Sequence, residues 1–224
     1  MEPLTKPHWE AVPEGIQALL ADLGQMPAVQ PFYLAGGTAV ALRLGHRISR
    51  DLDFFSETDS VDTPRREEIV AALRAAGRSV TVQRSAFTTL VLMADAHHQS
   101  FFSYAYDLVD EMSEVQGVRV AGLLDVALMK IDALSGRGLK RDFIDLYVIA
   151  QQTPLDKILE LGRRKYPHYR DLRMNALAAM TQFDAADEDA DPVLLQPIQW
   201  DEVKRFFIAE AKRLGSVWFE VPFE

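Results

Sequence analysis

The hydrophobic positions change period along the chain, and the change divides it in two. After Pro13, the apolar residues Ile16, Leu19, Leu20 and Leu23 recur at helical spacing, so a helix begins there. Phe32, Tyr33 and Leu34 form a short apolar run that stops at Gly36-Gly37 and reads as a buried strand. Thr38 to Leu44 reads as a helix ended by Gly45. Asp51-Leu52-Asp53-Phe54-Phe55 begins by alternating polar and apolar, so it reads as a strand with both aspartates on one face. A further helix starts at Asp62-Thr63-Pro64, with Ile69, Val70 and Leu73 facing inward. Four β-branched and aromatic runs follow, at 79–84, 87–93, 101–108 and 116–120, as in an antiparallel meander or a mixed sheet.

Beyond Gly122 the period becomes helical. Helices are expected over 123–134, 139–150, 155–165 and 171–183, with an exposed acidic loop over 184–191. A last helix carries Val203, Phe206, Phe207, Ala211 and Leu214 on one face. The expected organisation is an α/β (α+β) domain over 1–120 and a helical domain over 121–224.

Composition narrows the function classes. With 48% hydrophobic residues in 224, the chain can bury a substantial core. No apolar stretch approaches the roughly 18 residues of a membrane span, and Met1 to Trp9 lacks a signal-peptide pattern. There are no cysteines, which excludes disulfides and thiolate metal sites and is compatible with a cytoplasmic location. The formal net charge of −9 is the wrong sign for coating nucleic acid. A nucleic-acid substrate would have to be held by a local basic patch. Three basic stretches stand out: Arg43, Arg47 and Arg50; Arg137, Lys140 and Arg141; and Arg163, Arg164 and Lys165. Each is also what a solvated surface looks like.

Chemistry concentrates in two short motifs. Carboxylates two residues apart on a strand are fixed oxygen ligands of the kind a hard dication takes. Ions so held can clamp the attacking and leaving oxygens of a phosphoryl displacement, which makes Asp51 and Asp53 candidate Mg²⁺ or Mn²⁺ ligands. Gly36-Gly37-Thr38 lies where a strand gives way to a helix, so backbone N–H groups, a helix dipole and a hydroxyl could meet a phosphate. Each motif alone is commonplace. Chance brings the two together at this spacing on the order of once per thousand chains this size. His97-His98 reads as surface loop, and His46 as loop filler near Arg47 and Arg50, which could reach a triphosphate. Asp142 and Asp145 share a helix face, with Lys130 on the preceding helix. Read alone, these residues with Arg141 are an ion-pair network across a helix hairpin.

Leu34-Ala35-Gly36-Gly37-Thr38-Ala39-Val40-Ala41-Leu42 and Arg50-Asp51-Leu52-Asp53-Phe54-Phe55 closely resemble motifs of the AbiEii-type toxin family, nucleotidyltransferases of the DNA polymerase beta superfamily. The segments 127–134 and 140–147, a lysine followed by Asp-x-x-Asp, are similar to that family's helical motifs. The resemblance spans about 30–150. It implies a nucleoside triphosphate donor, Mg²⁺, and in-line transfer of a nucleotidyl group. The acceptor it implies is RNA, transfer RNA ends among them, in a toxin–antitoxin pair with a cognate antitoxin. By motif, Gly37 and Thr38 would hold triphosphate, Asp51 and Asp53 metal, and Lys130 phosphate. Asp142 would act as base or orient the acceptor, supported by Asp145. A third metal carboxylate, common in the superfamily, has Asp107 as its candidate. A small-molecule acceptor, as in antibiotic nucleotidyltransferases, and an inactive nucleotide- or partner-binding relic stay open as alternatives.

Overall fold

The computed structural model describes residues 1–219; the last five residues of the helical domain expected over 121–224 lie outside the described residues. Two compact units divide the chain, Met1–Gly122 and Leu123–Glu224.

The first unit is built on an eight-stranded mixed sheet in the order β1-β7-β8-β2-β3-β6-β5-β4. Its strands are β1 (Glu2–Pro3), β2 (Tyr33–Ala35), β3 (Leu52–Ser56), β4 (Val80–Ala86), β5 (Thr89–Ala94), β6 (His97–Ser103), β7 (Ser113–Val115) and β8 (Val118–Val120). Three helices join them: α1 (Glu14–Gly24), α2 (Gly36–Leu44) and α3 (Thr63–Ala75). β3 lies antiparallel to β2 and parallel to β6. Its alternating burial follows from this central place, because Leu52, Phe54 and Ser56 face the core. Phe32, Phe54 and Phe101 pack there as an edge-to-face pair and a stacked pair, and α1 buries Ile16, Leu19, Leu20 and Leu23. Asp62 caps α3, its carboxylate accepting from the Arg65 amide at 3.0 Å.

The start of β6 differs from the sequence pattern for a local reason. The strand expected over 101–108 begins at His97 and ends at Ser103, so His97 and His98 are strand residues rather than loop. They pair with Ala94 and Met93 across the two-residue turn Asp95-Ala96. Both turn residues have positive φ, +48° and +66°, as a hairpin turn of matching twist requires. Neither is the asparagine or glycine that usually announces such a turn. Asp95 compensates locally, accepting from the Ser79 amide at 2.8 Å and pairing with Arg78 at 2.8 Å.

The second unit is helical: α4 (Leu123–Gly136), α5 (Lys140–Ala150), α6 (Leu155–Lys165), α7 (Leu172–Ala179), α8 (Asp184–Glu188) and α9 (Trp200–Phe219). The acidic stretch expected as a loop contains the short α8, and α7 stops at Ala179 instead of reaching 183. Phe143 of α5 centres an aromatic cluster with Phe183, Trp200 and Phe207. The Trp200 indole donates to Asp187 at 2.6 Å, which ties the start of α9 to α8.

Candidate active site

β2 is buried throughout and hands the chain directly to α2 at Gly36. In the β2–β3 ladder Ala35 faces Asp53, so the turn and the aspartate arrive at the same place. Gly36 takes a left-handed φ of +62°. A Cβ there would stand 2.7 Å from Asp53 Oδ2, so the carboxylate packs against the glycine itself. A Cβ on Gly37 would stand 2.2 Å from Arg47 Nη2. The glycines thus leave room for a carboxylate on one side and a guanidinium on the other, at the N-terminus of a helix.

Thr38 is buried, and its hydroxyl donates to the Asp51 carbonyl at 2.5 Å, with Ser49 Oγ at 2.8 Å. This hydroxyl therefore anchors the backbone that carries Asp51, while the Thr38 amide belongs to the first turn of α2. The Ser49 amide donates to the Ala11 carbonyl at 2.9 Å and fixes the same loop from the other side. Asp51 is exposed and lies one residue before β3; Asp53 is half-buried within it. Arg47 is 4% exposed, with Nη1 donating to the Ile48 carbonyl at 3.1 Å, and Arg50 is exposed. His46 is fully buried.

Asp107 does not join this constellation through the ladder. The β3–β6 register puts Ser100 beside Asp53, and β6 ends at Ser103, so Asp107 lies beyond the strand in an exposed segment. Among the described residues no group of three or more His, Asp or Glu side chains is placed to hold a metal. Asp51 and Asp53 remain the hard oxygen donors, and in chemical type they fit a dication whose other ligands are water and phosphate oxygens.

In the second unit the structure draws Lys130, Asp142 and Asp145 into one buried cluster. Lys130 Nζ lies 2.8 Å from Asp142 Oδ1 and 2.6 Å from Asp145 Oδ2, and both carboxylates are fully buried. Arg137 adds hydrogen bonds to Asp142 at 3.0 and 3.2 Å. The hairpin network read from spacing includes Arg137 where the sequence suggested Arg141. Burial by itself would raise the Asp142 carboxyl, but the charges of Lys130 and Arg137 and the hydrogen bonds they donate outweigh it. The group is held below the usual carboxylate range. A carboxylate so stabilised is a weak proton acceptor at neutral pH and a strong anchor for a lysine.

Other basic residues singled out in the sequence have structural tasks. Arg43 donates to the Ala121 carbonyl at 3.1 Å and, through Nη2, to Ser113 Oγ and the Val120 carbonyl at 3.3 Å. Lys140 reaches Asp191 at 2.7 Å, and Lys165 is sealed against Asp125 at 2.7 Å with both side chains fully buried. The sequence pattern does not point to Ser49, Ser100 or Asp125, nor to the pairing of Arg137 with Asp142. Their parts depend on register and long-range packing, for which spacing carries no signal; Arg137, five residues before Asp142, was the one within reach of a spacing argument.

Comparison with known proteins bears on the same segments. The profile of the family described as "Nucleotidyl transferase AbiEii toxin, Type IV TA system" matches residues 18–107 and 93–214. An uncharacterised protein of Aquifex aeolicus (strain VF5) is 33% identical over 189 residues, covering 81% of this chain and 86% of that one. A Helicobacter pylori crystal structure assigned as a nucleotidyltransferase superposes with a TM-score of 0.54 at 17% identity, covering 97% of each chain. The antibiotic-resistance factor ANT(2'')-Ia superposes with a TM-score of 0.52 at 14% identity, covering 72% of this chain and 97% of that one.

Proposed function

Because the chain belongs to the AbiEii nucleotidyl transferase family of type IV toxin–antitoxin systems and is thus a nucleotidyltransferase, we propose that it moves a nucleotidyl group from a nucleoside triphosphate to RNA. In this reading the acceptor is transfer RNA or another cellular RNA, the reaction depends on Mg²⁺ or Mn²⁺, and a cognate antitoxin restrains the enzyme. The observation that carries it is the packing of the Asp53 carboxylate against Gly36, at a helix N-terminus, with Asp51 two residues earlier.

The chemistry is an in-line displacement. An acceptor hydroxyl oxygen bonds to the α-phosphorus, the bond from that phosphorus to the bridging oxygen breaks, pyrophosphate leaves, and the hydroxyl proton passes to solvent or a base. A dication held by Asp51 and Asp53 supplies charge neutralisation at the phosphate oxygens. The Gly37 and Thr38 amides and the α2 dipole offer the triphosphate hydrogen-bond donors and positive potential. Arg47 and Arg50 add charge near that turn. In the second unit Asp142 and Asp145 fix the Lys130 ammonium, which makes Asp142 a positioning residue for that lysine and not a base. No helix among the described residues is long and apolar enough to cross a membrane, which fits a cytoplasmic enzyme.

The test incubates the chain with each α-³²P-labelled triphosphate, Mg²⁺ and total cellular RNA. Label on RNA with one triphosphate, absent for Asp53→Asn, is the expected result. A second reading, a small-molecule acceptor, draws on the net charge of −9 and on the fold shared with ANT(2'')-Ia. Label on an added small-molecule antibiotic but not on RNA would favour it. Label on neither, with triphosphate still bound, would favour an inactive relic.

A further inference from the structure

Of the three basic stretches in the sequence, the structure engages most of the first two, leaving Arg50 exposed and Arg141 half-buried as single cations. Arg43 braces the sheet, Arg47 lies over Gly37, Arg137 holds Asp142 and Lys140 holds Asp191. In the third, Lys165 is sealed in the core against Asp125. Clustered and exposed, by contrast, are Arg163 and Arg164 in the last turn of α6, and His168 and Arg170 in the segment before α7. The three arginines make no ion pair or side-chain hydrogen bond among the described residues. From Glu160 to Asp171 no acidic residue intervenes. Tyr169 sits half-buried among them, its hydroxyl held by Asn175 Nδ2 at 2.9 Å.

A helix C-terminus attracts cations, but that effect is worth about 0.3–1 kcal/mol and fades within one turn. Lys165 already occupies that turn, and Arg170 lies five residues further on. The dipole therefore accounts for part of the cluster only.

We propose that the segment 163–170 is a docking surface for the phosphodiester backbone of RNA. The inference rests on the reading above, in which RNA is the acceptor. Guanidinium groups match phosphate oxygens in a bidentate fork. A tyrosine with a tethered hydroxyl presents a ring on which an unpaired base can stack. Away from this segment a chain of net charge −9 repels a polyanion, so the grip is confined to a few phosphates. Three arginine–phosphate contacts on a single strand give a log–log salt slope of about −2, at roughly −0.7 per phosphate.

The experiment titrates a fluorescein-labelled single-stranded RNA 20-mer with the full chain at several salt concentrations, without triphosphate. Wild type is expected to bind with the shallow slope above. Arg163→Gln/Arg164→Gln/Arg170→Gln should lose at least tenfold in affinity at low salt and flatten the slope, with an unchanged melting temperature. Equal binding by the triple variant, or no binding by wild type, would overturn the proposal. So would a polyglutamate peptide that displaces the RNA at equal charge concentration, since that marks a surface for an acidic protein. The labelling assay separates this proposal from its premise. If wild type binds RNA through these arginines but labels none, the docking surface stands and the acceptor assignment fails. If wild type and triple variant label limiting RNA equally, the assignment stands and the surface fails.

Discussion

At the scale of single residues, the site depends on an atom that is missing. Gly36 has no Cβ, and the Asp53 carboxylate occupies the space one would fill. Gly36→Ala would meet two penalties together, a contact of 2.7 Å with Asp53 Oδ2 and a left-handed φ of +62°. The conformational part alone costs of order 1–2 kcal/mol. The variant should melt several degrees lower, and its transfer activity should fall by more than the melt accounts for, because Asp53 must move. Steady-state labelling below the melting transition checks this. Full activity there would show that the close approach has no part in catalysis. Thr38 teaches a related lesson: its hydroxyl suggested a phosphate donor from sequence, and in the fold it secures the Asp51 backbone.

Between residues and the whole lie the paired helices α4 and α5. Their buried ions are interdependent, because Lys130 satisfies two carboxylates at 2.8 and 2.6 Å. Lys130→Met would remove a buried ion pair from Asp145 and leave Asp142 with the half-exposed Arg137, at a cost of about 3–5 kcal/mol. The pH dependence has a definite sign. The Asp142 carboxyl is depressed in the folded state, so its contribution is fully present above the unfolded value, near 4, and is lost as pH falls through the lower folded value. Urea midpoints should accordingly drop more steeply below about pH 4 in wild type than in Asp142→Asn. Parallel acid limbs in the two proteins would remove Asp142 from the acid-sensitive set.

For the whole molecule the testable quantity is linkage. Asp51 and Asp53 place two carboxylates two residues apart in a chain of net charge −9. A dication binding the folded state stabilises it by mass action, about 2.7 kcal/mol at a hundredfold excess over Kd. Mg²⁺ or Mn²⁺ should therefore raise the melting temperature, and triphosphate should add to the shift by supplying the remaining oxygen ligands. Asp53→Asn should lose the metal response and, without metal, be at least as stable as wild type. A thermal melt of both proteins with and without Mg²⁺ and triphosphate decides it. Equal metal responses would mean that the carboxylate pair is not the metal site.

The sequence by itself determined the class of fold, the family and the enzyme type, because those follow from short-range regularities. Helical and strand periods set the mixed α/β sheet and the helices, with most element ends falling within a few residues. The order Gly36-Gly37-Thr38, Asp51-x-Asp53, Lys130, Asp142-x-x-Asp145 sufficed for the family. Tertiary structure decided what spacing cannot encode. The β3–β6 register set Ser100 beside Asp53, and β6 ends at Ser103, short of Asp107. The Asp95-Ala96 turn drew His97 and His98 into a strand through backbone angles that their neighbours do not advertise. Packing settled the fate of each cation, burying Lys165 against Asp125 while leaving Arg163 and Arg164 in solvent. A charge in the sequence has a sign but no surroundings, and whether it becomes a buried strut or an open contact depends on which residues, forty positions away in the case of Lys165, the fold brings to it.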